Sequence, residues 1–267
     1  MLANLKHTQA SKSSRRVLTA LLLFLLTLGF LPLAEFSGIA DYLPVHSFLE
    51  AVAIVVAAAV FSVGWHTYLG RVDYRTVSVA CLFLGVAVLD FSHLLSYQGM
   101  PDFVTPSGPD KTINFWLAAR CLAALALIAA VVMPATSAPA KYRYLLLTTV
   151  AIVVVGLHVL FLHFPQWTPN NYDENTGLTG FKISIEYVLT LIYGVVAYLL
   201  WQRGIRTKRT DTIYLGVAAA IMALSEILFT LFFNLFDIYN VTGHLYKVLA
   251  YAYLYQALVV AGIKAPY

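Results

Sequence analysis

The sequence predicts an all-α protein: an integral membrane bundle of eight transmembrane helices with both termini in the cytoplasm. Three observations predict it. Of the 267 residues, 60% are hydrophobic and only 11% are charged, against about 25% charged in an average soluble domain. The apolar residues gather into eight segments, each with the roughly 20 residues a helix needs to cross about 30 Å of hydrocarbon. The connections between these segments alternate between basic and acidic. The longest stretch left outside them, about residues 165–180, is too short to bury a core of its own.

Residues 1–16 are polar and basic, with Lys6, Lys12, Arg15 and Arg16, and are expected to form a cytoplasmic tail. Residues 17–264 are expected to form the membrane domain. The first span covers about 17–36; its apolar run is long for a signal peptide, so an uncleaved helix is expected. The second covers about 45–69. The third covers about 74–97 and is ended by Gly99 and Pro101. The remaining spans cover about 112–133, 142–164, 181–201, 212–236 and 241–263. Residues 265–267 are left as the start of a linker.

Loops on one side carry Arg71, Arg75, Lys141, Arg143, Arg203, Arg206, Lys208 and Arg209. Those on the other carry Asp41, Asp102, Asp110, Asp173, Glu174 and Asp237, with Lys111 and Lys182 as the main cations. The positive-inside rule therefore places both ends in the cytoplasm. A net charge of +4 distributed over loops argues for membrane orientation and against nucleic acid. Cys81 and Cys121 fall in separate spans, which excludes a disulfide framework or a CxxC metal site; Cys121 is expected to face another helix. No two spans are interrupted at matching positions, which weakens a transporter reading.

The third span carries the chemistry. Asp90 and His93 stand three residues apart and share a helix face, and an aspartate in hydrocarbon costs about 2.5–3.5 kcal/mol on insertion scales. His46 and Glu50 open the second span four residues apart. Arg120, Glu186, Glu226, His244 and Lys247 are the other strongly polar residues within spans. At about 1.5 Å of rise per residue, Glu226 falls near the middle of its span and the rest in the outer halves. Such convergence predicts a polar pocket open to the outside. The competing reading is a set of structural ion pairs, for instance Arg120 with Asp90 and Lys247 with Glu226. Four acids against Arg120 and Lys247 leave two negative charges over. His46, Glu50, Asp90 and His93 are of metal-ligand type at one depth, so a divalent transition metal is a candidate cofactor, with His244 able to complete or replace one ligand. His66, His158 and His163 are assigned to helix ends, Trp65, Trp167 and Trp201 to interface anchoring, and Tyr246, Tyr251, Tyr253 and Tyr255 to packing.

Four segments also carry a family resemblance: His46-Ser47-Phe48-Leu49-Glu50, Leu89-Asp90-Phe91-Ser92-His93 with Tyr97-Gln98-Gly99-Met100-Pro101, Phe115-Trp116-Leu117-Ala118-Ala119-Arg120, and Gly243-His244-Leu245-Tyr246-Lys247. Together they resemble the signature segments of the bacterial membrane-associated sensor domains of the third type. The resemblance implies a multi-pass protein of the inner membrane that receives a signal and relays it to a cytoplasmic output: a diguanylate cyclase, a histidine kinase or a PAS-containing regulator. It adds Tyr97 to the candidate pocket. The expected partners are the bilayer, a small periplasmic or membrane-borne ligand or ion, the output domain and a second copy in a homodimer. Ala265-Pro266-Tyr267 resembles the point of hand-over to the output. No output segment follows it in this chain, so an excised or a stand-alone sensor is expected. Two other classes compete: an intramembrane metal-dependent hydrolase, and a haem or transport protein using His46 and His93 as axial ligands.

Overall fold

The computed structural model describes residues 39–66, 73–233 and 235–260. The tail, the span predicted at 17–36 and the linker at 265–267 lie outside the described residues. The elements are α1 (Ile39–His66), α2 (Tyr74–Leu95), α3 (Pro109–Val132), α4 (Ala140–His163), a small antiparallel hairpin of β1 (Tyr172–Asp173) and β2 (Gly177–Leu178), α5 (Gly180–Thr207), α6 (Thr210–Leu228) and α7 (Ile238–Leu254). A π-helical stretch, Tyr255–Val260, continues α7. Among the described residues, α1 to α6 are long and apolar enough to cross a membrane.

Local chemistry accounts for the helix ends. Asp73 caps α2 by accepting from the Thr76 amide at 2.9 Å and its hydroxyl at 2.8 Å. Thr179 caps α5 through the Lys182 amide, and Asp237 caps α7 through the Tyr239 amide at 2.9 Å. α5 stops at Lys208, whose φ of 57° is left-handed and turns its amide back to the Gly204 and Ile205 carbonyls.

α2 packs between α1 and α3, α6 packs between α5 and α7, and α7 closes against α1. This ring buries the apolar core. α4 stands outside it: Val150, Val154 and Leu162 are its buried residues, while Leu145, Ile152 and Val155 are exposed, as on a lipid-facing helix. It docks on α2 at Gly85, where a Cβ would come within 2.8 Å of Leu122 Cδ1 and 3.0 Å of Val150 Cγ1.

Two predicted spans take a different form. The segment expected as helix through 236 stops at Leu228, and residues 229–233 and 235–236 form a plug with Phe229, Phe232 and Leu235 buried. A run of apolar residues reads alike for a helix and for a buried loop; here the Lys182 ammonium donates to the Phe229 carbonyl, taking an acceptor that another helical turn would need. Glu226 consequently lies in the last turn of α6 rather than in mid-span. α1 begins at Ile39, ahead of the predicted start near residue 45, with Pro44 inside its early turns.

Candidate functional site

The polar side chains converge at one end of the bundle, beneath the connections 96–108, 164–179 and 229–237. His93 comes from the last turn of α2, Thr112 from the first turn of α3, Lys182 and Glu186 from the start of α5, and Glu226 from the end of α6. His46 and Glu50 lie within the first three turns of α1, and His244 and Lys247 in the early turns of α7. The cluster is desolvated: Glu50, Asp90, Arg120, Glu186, Glu226 and Lys247 are 0% exposed, and Lys182 is 1% exposed.

Four of these charges form one chain across four helices. Lys247 Nζ donates to both oxygens of Glu50, at 2.9 and 2.7 Å, and lies 3.1 Å from Asp90 Oδ2. Arg120 donates to both oxygens of Asp90 at 2.7 Å and to the Tyr251 hydroxyl at 3.3 Å. Glu50, Lys247, Asp90 and Arg120 thus tie α1, α7, α2 and α3 together. Trp116 lies against both cations, its ring centre 4.6 Å from Lys247 Nζ and 4.6 Å from the Arg120 guanidinium carbon. Its indole N–H donates to Glu186 at 3.3 Å. Each ion carries a desolvation cost of several kcal/mol, which only close opposite charges and hydrogen bonds offset.

A second group adjoins the first. Lys182 Nζ lies 3.0 Å from Glu186 Oε1, and the buried Glu226 carboxyl has no hydrogen-bond partner among the described residues. Lys182 was expected in an outer loop. Its burial makes three core cations against four acids among the described residues, so the negative excess is one, not two.

The third group is built of imidazoles. The His46 ring centre lies 4.1 Å from that of Tyr97, 4.6 Å from that of His244 and 5.4 Å from that of His93. His93 Nδ1 lies 2.9 Å from the Thr112 carbonyl oxygen. A carbonyl only accepts, so Nδ1 carries the proton and Nε2 presents a lone pair. Neither nitrogen of His46, nor His93 Nε2, has a hydrogen-bond partner. His244 Nδ1 lies 2.7 Å from Glu50 Oε1. One ligand-type atom from each of His46, Glu50, His93 and His244 lies within 4.8 Å of all the others. A cavity of about 20 Å³, lined by His93, Tyr97, Thr112, Trp116, Asn240 and His244 among others, adjoins them.

All ten residues singled out in the sequence fall in this region; Arg120 pairs with Asp90 as expected, while other partners differ. Lys247 takes Glu50 and Asp90, not Glu226. Asp90 lies apart from the histidines because Arg120 and Lys247 hold it, and His244 stands in the metal-type group instead. Tyr97 donates to the Leu235 carbonyl at 2.6 Å and accepts from Asn240 at 3.3 Å, which pins the plug over the cluster.

Trp116, in the segment Phe115–Arg120, was not among the expected site residues. Its spacing of four from Arg120 was the available signal that the two share a face. Tyr251, assigned to packing, contacts Arg120, and Tyr193 donates to the Arg120 carbonyl at 2.9 Å. His158, assigned to a helix end, lies more than a turn inside α4, with Nε2 at 2.7 Å from Ser92 Oγ. Cys121 is exposed rather than turned to another helix. Gly243 matters through its missing side chain, since a Cβ would come 2.6 Å from Phe229 Cζ.

Compared with known proteins, residues 37–266 match the family model of a membrane-associated sensor domain. No curated protein and no solved structure matches the chain.

Proposed function

The chain belongs to the membrane-associated sensor domain family, and from that premise we propose that its buried charged cluster is the receiving site of a signal-input domain in the bacterial inner membrane. The observation that carries this reading is the fully buried chain Glu50–Lys247–Asp90–Arg120, which joins four helices. A ligand that competes for one link changes which helices are held together. Such coupling needs only a difference in the ligand's affinity for two helix arrangements. α7 supplies His244, Lys247 and Tyr251 and leads toward the C-terminus, so it carries the shift to a cytoplasmic output. In this reading both termini are cytoplasmic, the domain has eight spans counting residues 17–36, and the cluster faces outward.

The test fuses the chain to a reporter output such as a diguanylate cyclase. Asp90→Ala and Arg120→Ala each silence the response while membrane insertion persists. Full response in the double alanine variant would reduce the pair to structural glue. Cysteines placed at 173 and 208 report topology in intact cells: periplasmic labelling is expected at 173, and labelling at 208 would overturn the orientation.

A further inference from the structure

We propose that His46, His93, His244 and Glu50 form a binding site for a single first-row divalent transition metal of the kind imidazole nitrogens hold, zinc first among them. That this ion is also the signal rests on the sensory reading above. The donor chemistry is specific: three imidazoles and one carboxylate are a complete tetrahedral set for zinc, and imidazole also suits copper, iron and nickel.

The donors come from three helices and converge within 4.8 Å. A tetrahedron with ligand distances of about 2.0–2.1 Å has edges of about 3.3 Å, so side-chain rotations of an ångström or so close the site. Three buried imidazole nitrogens, both of His46 and Nε2 of His93, make no hydrogen bond. A buried polar atom left so is destabilising, and one ion would occupy His93 Nε2 and one of the two His46 nitrogens.

The surrounding shell is suited to an ion. The Thr112 carbonyl fixes the His93 tautomer so that Nε2 is the free donor, the role outer-shell acceptors play in metal sites. Lys247 holds the Glu50 carboxylate in place while competing for its charge, which lowers affinity and favours exchange. The adjoining cavity of about 20 Å³ admits a water or an ion. It is too small for a quinone or for a porphyrin macrocycle. The sequence suggested Asp90 as the fourth ligand. Its two oxygens are instead held by Arg120 and Lys247.

The experiment uses the full chain in lipid nanodiscs, stripped with chelator and titrated with Zn²⁺ or Co²⁺. Bound metal is counted by elemental mass spectrometry after desalting. The expected result is one ion per chain, an intense tetrahedral d–d spectrum with Co²⁺, and a melting temperature that rises with metal concentration. His93→Ala and His46→Gln should each weaken binding by more than the roughly 10–100-fold typical of losing an outer-shell partner. His158→Ala, which removes a histidine bonded to Ser92 outside the group, should leave binding intact. Glutamine keeps a polar side chain at residue 46, so that variant carries the test if His93→Ala fails to fold. No retained metal, or equal binding by wild type, His46→Gln and His93→Ala, overturns the site. If no metal binds while Asp90→Ala still silences the reporter, the metal is wrong and the sensory reading stands. If an ion binds through these ligands but neither it nor the core variants alter output, the site stands as structural and the sensory reading falls.

Discussion

Arg120 and Arg203 both hold α3, one toward each end of the bundle, and they do so by different physics. Arg120 is fully buried, and its guanidinium is matched by Asp90, the Tyr251 hydroxyl and the Trp116 ring. Arg203 is half-buried and donates to the carbonyls of Ala130 at 3.3 Å and Val131 at 2.8 Å, the last turn of α3. Arg75 does the same for the Met133 carbonyl at 3.2 Å, and Arg143 stacks on Trp65 with its guanidinium carbon 3.8 Å from the ring centre. At the arginine-rich end, cations answer the orphan carbonyls of helix C-termini, and solvent supplies the rest. At the other end Arg120, Lys182 and Lys247 are buried away from solvent, so each needs an anion within reach. A bundle that only had to cross a membrane would need the first arrangement alone. The second is expensive to keep, which is why it marks the site.

The comparison breaks most visibly at Asp90. Asp90→Ala strands Arg120 in a desolvated core and is expected to lower stability by about 3–5 kcal/mol, read from unfolding in mixed micelles. Replacing both partners, Asp90→Leu with Arg120→Leu, should recover most of that loss, since an apolar pair of similar volume needs no compensation. If Asp90→Ala unfolds like wild type, the pair is wetter than its burial indicates. At the opposite end Arg203→Ala should cost only about 0.5–1.5 kcal/mol, the net worth of ordinary hydrogen bonds, because water replaces the guanidinium at the two carbonyls. A loss there as large as that at Asp90 would erase the distinction between the ends.

The smallest effect lies in the hairpin above the cluster. Asp173 accepts from the Asn175 and Thr176 amides, both at 2.9 Å, and these bonds hold its carboxyl below the usual carboxylate range. A folded value below the unfolded one means that this support is complete above about pH 4, the ordinary aspartate range, and is lost as pH falls through the folded value. The protection of the Asn175 and Thr176 amides against exchange, taken relative to the intrinsic rate at each pH, should fall in acid, and Asp173→Asn should flatten that dependence. An unchanged acid profile in the variant would show that the turn holds without its carboxylate.

Much of the molecule was legible from the chain alone. Apolar length and loop charge are one-dimensional signals, so the approximate places of the helices from α1 to α6 and the distinction between a basic and an acidic side follow from counting, though not the start of α1 at Ile39 or the end of α6 at Leu228. Nine of the ten candidate residues were also visible one by one, because a charged or imidazole side chain inside an apolar segment stands out wherever its helix packs; Tyr97 came with the family resemblance. Pairing was visible only in part: Arg120 with Asp90 was expected and is found, but the partners of Lys182 and Lys247 were not. Lys182 sits at the border of a loop and a span, and only the plug after α6, with the Phe229 carbonyl placed over it, draws its ammonium inside. α7 packs against both α6, which carries Glu226, and α1, which carries Glu50 nearly two hundred positions earlier; Lys247 meets Glu50 because its face of α7 is the one turned to α1. Sequence spacing determines which residues share a helix face. Only the arrangement of helices around the ring decides which faces meet, and with that which acids take a cation, which histidines keep a free lone pair, and where the ligand-type atoms converge.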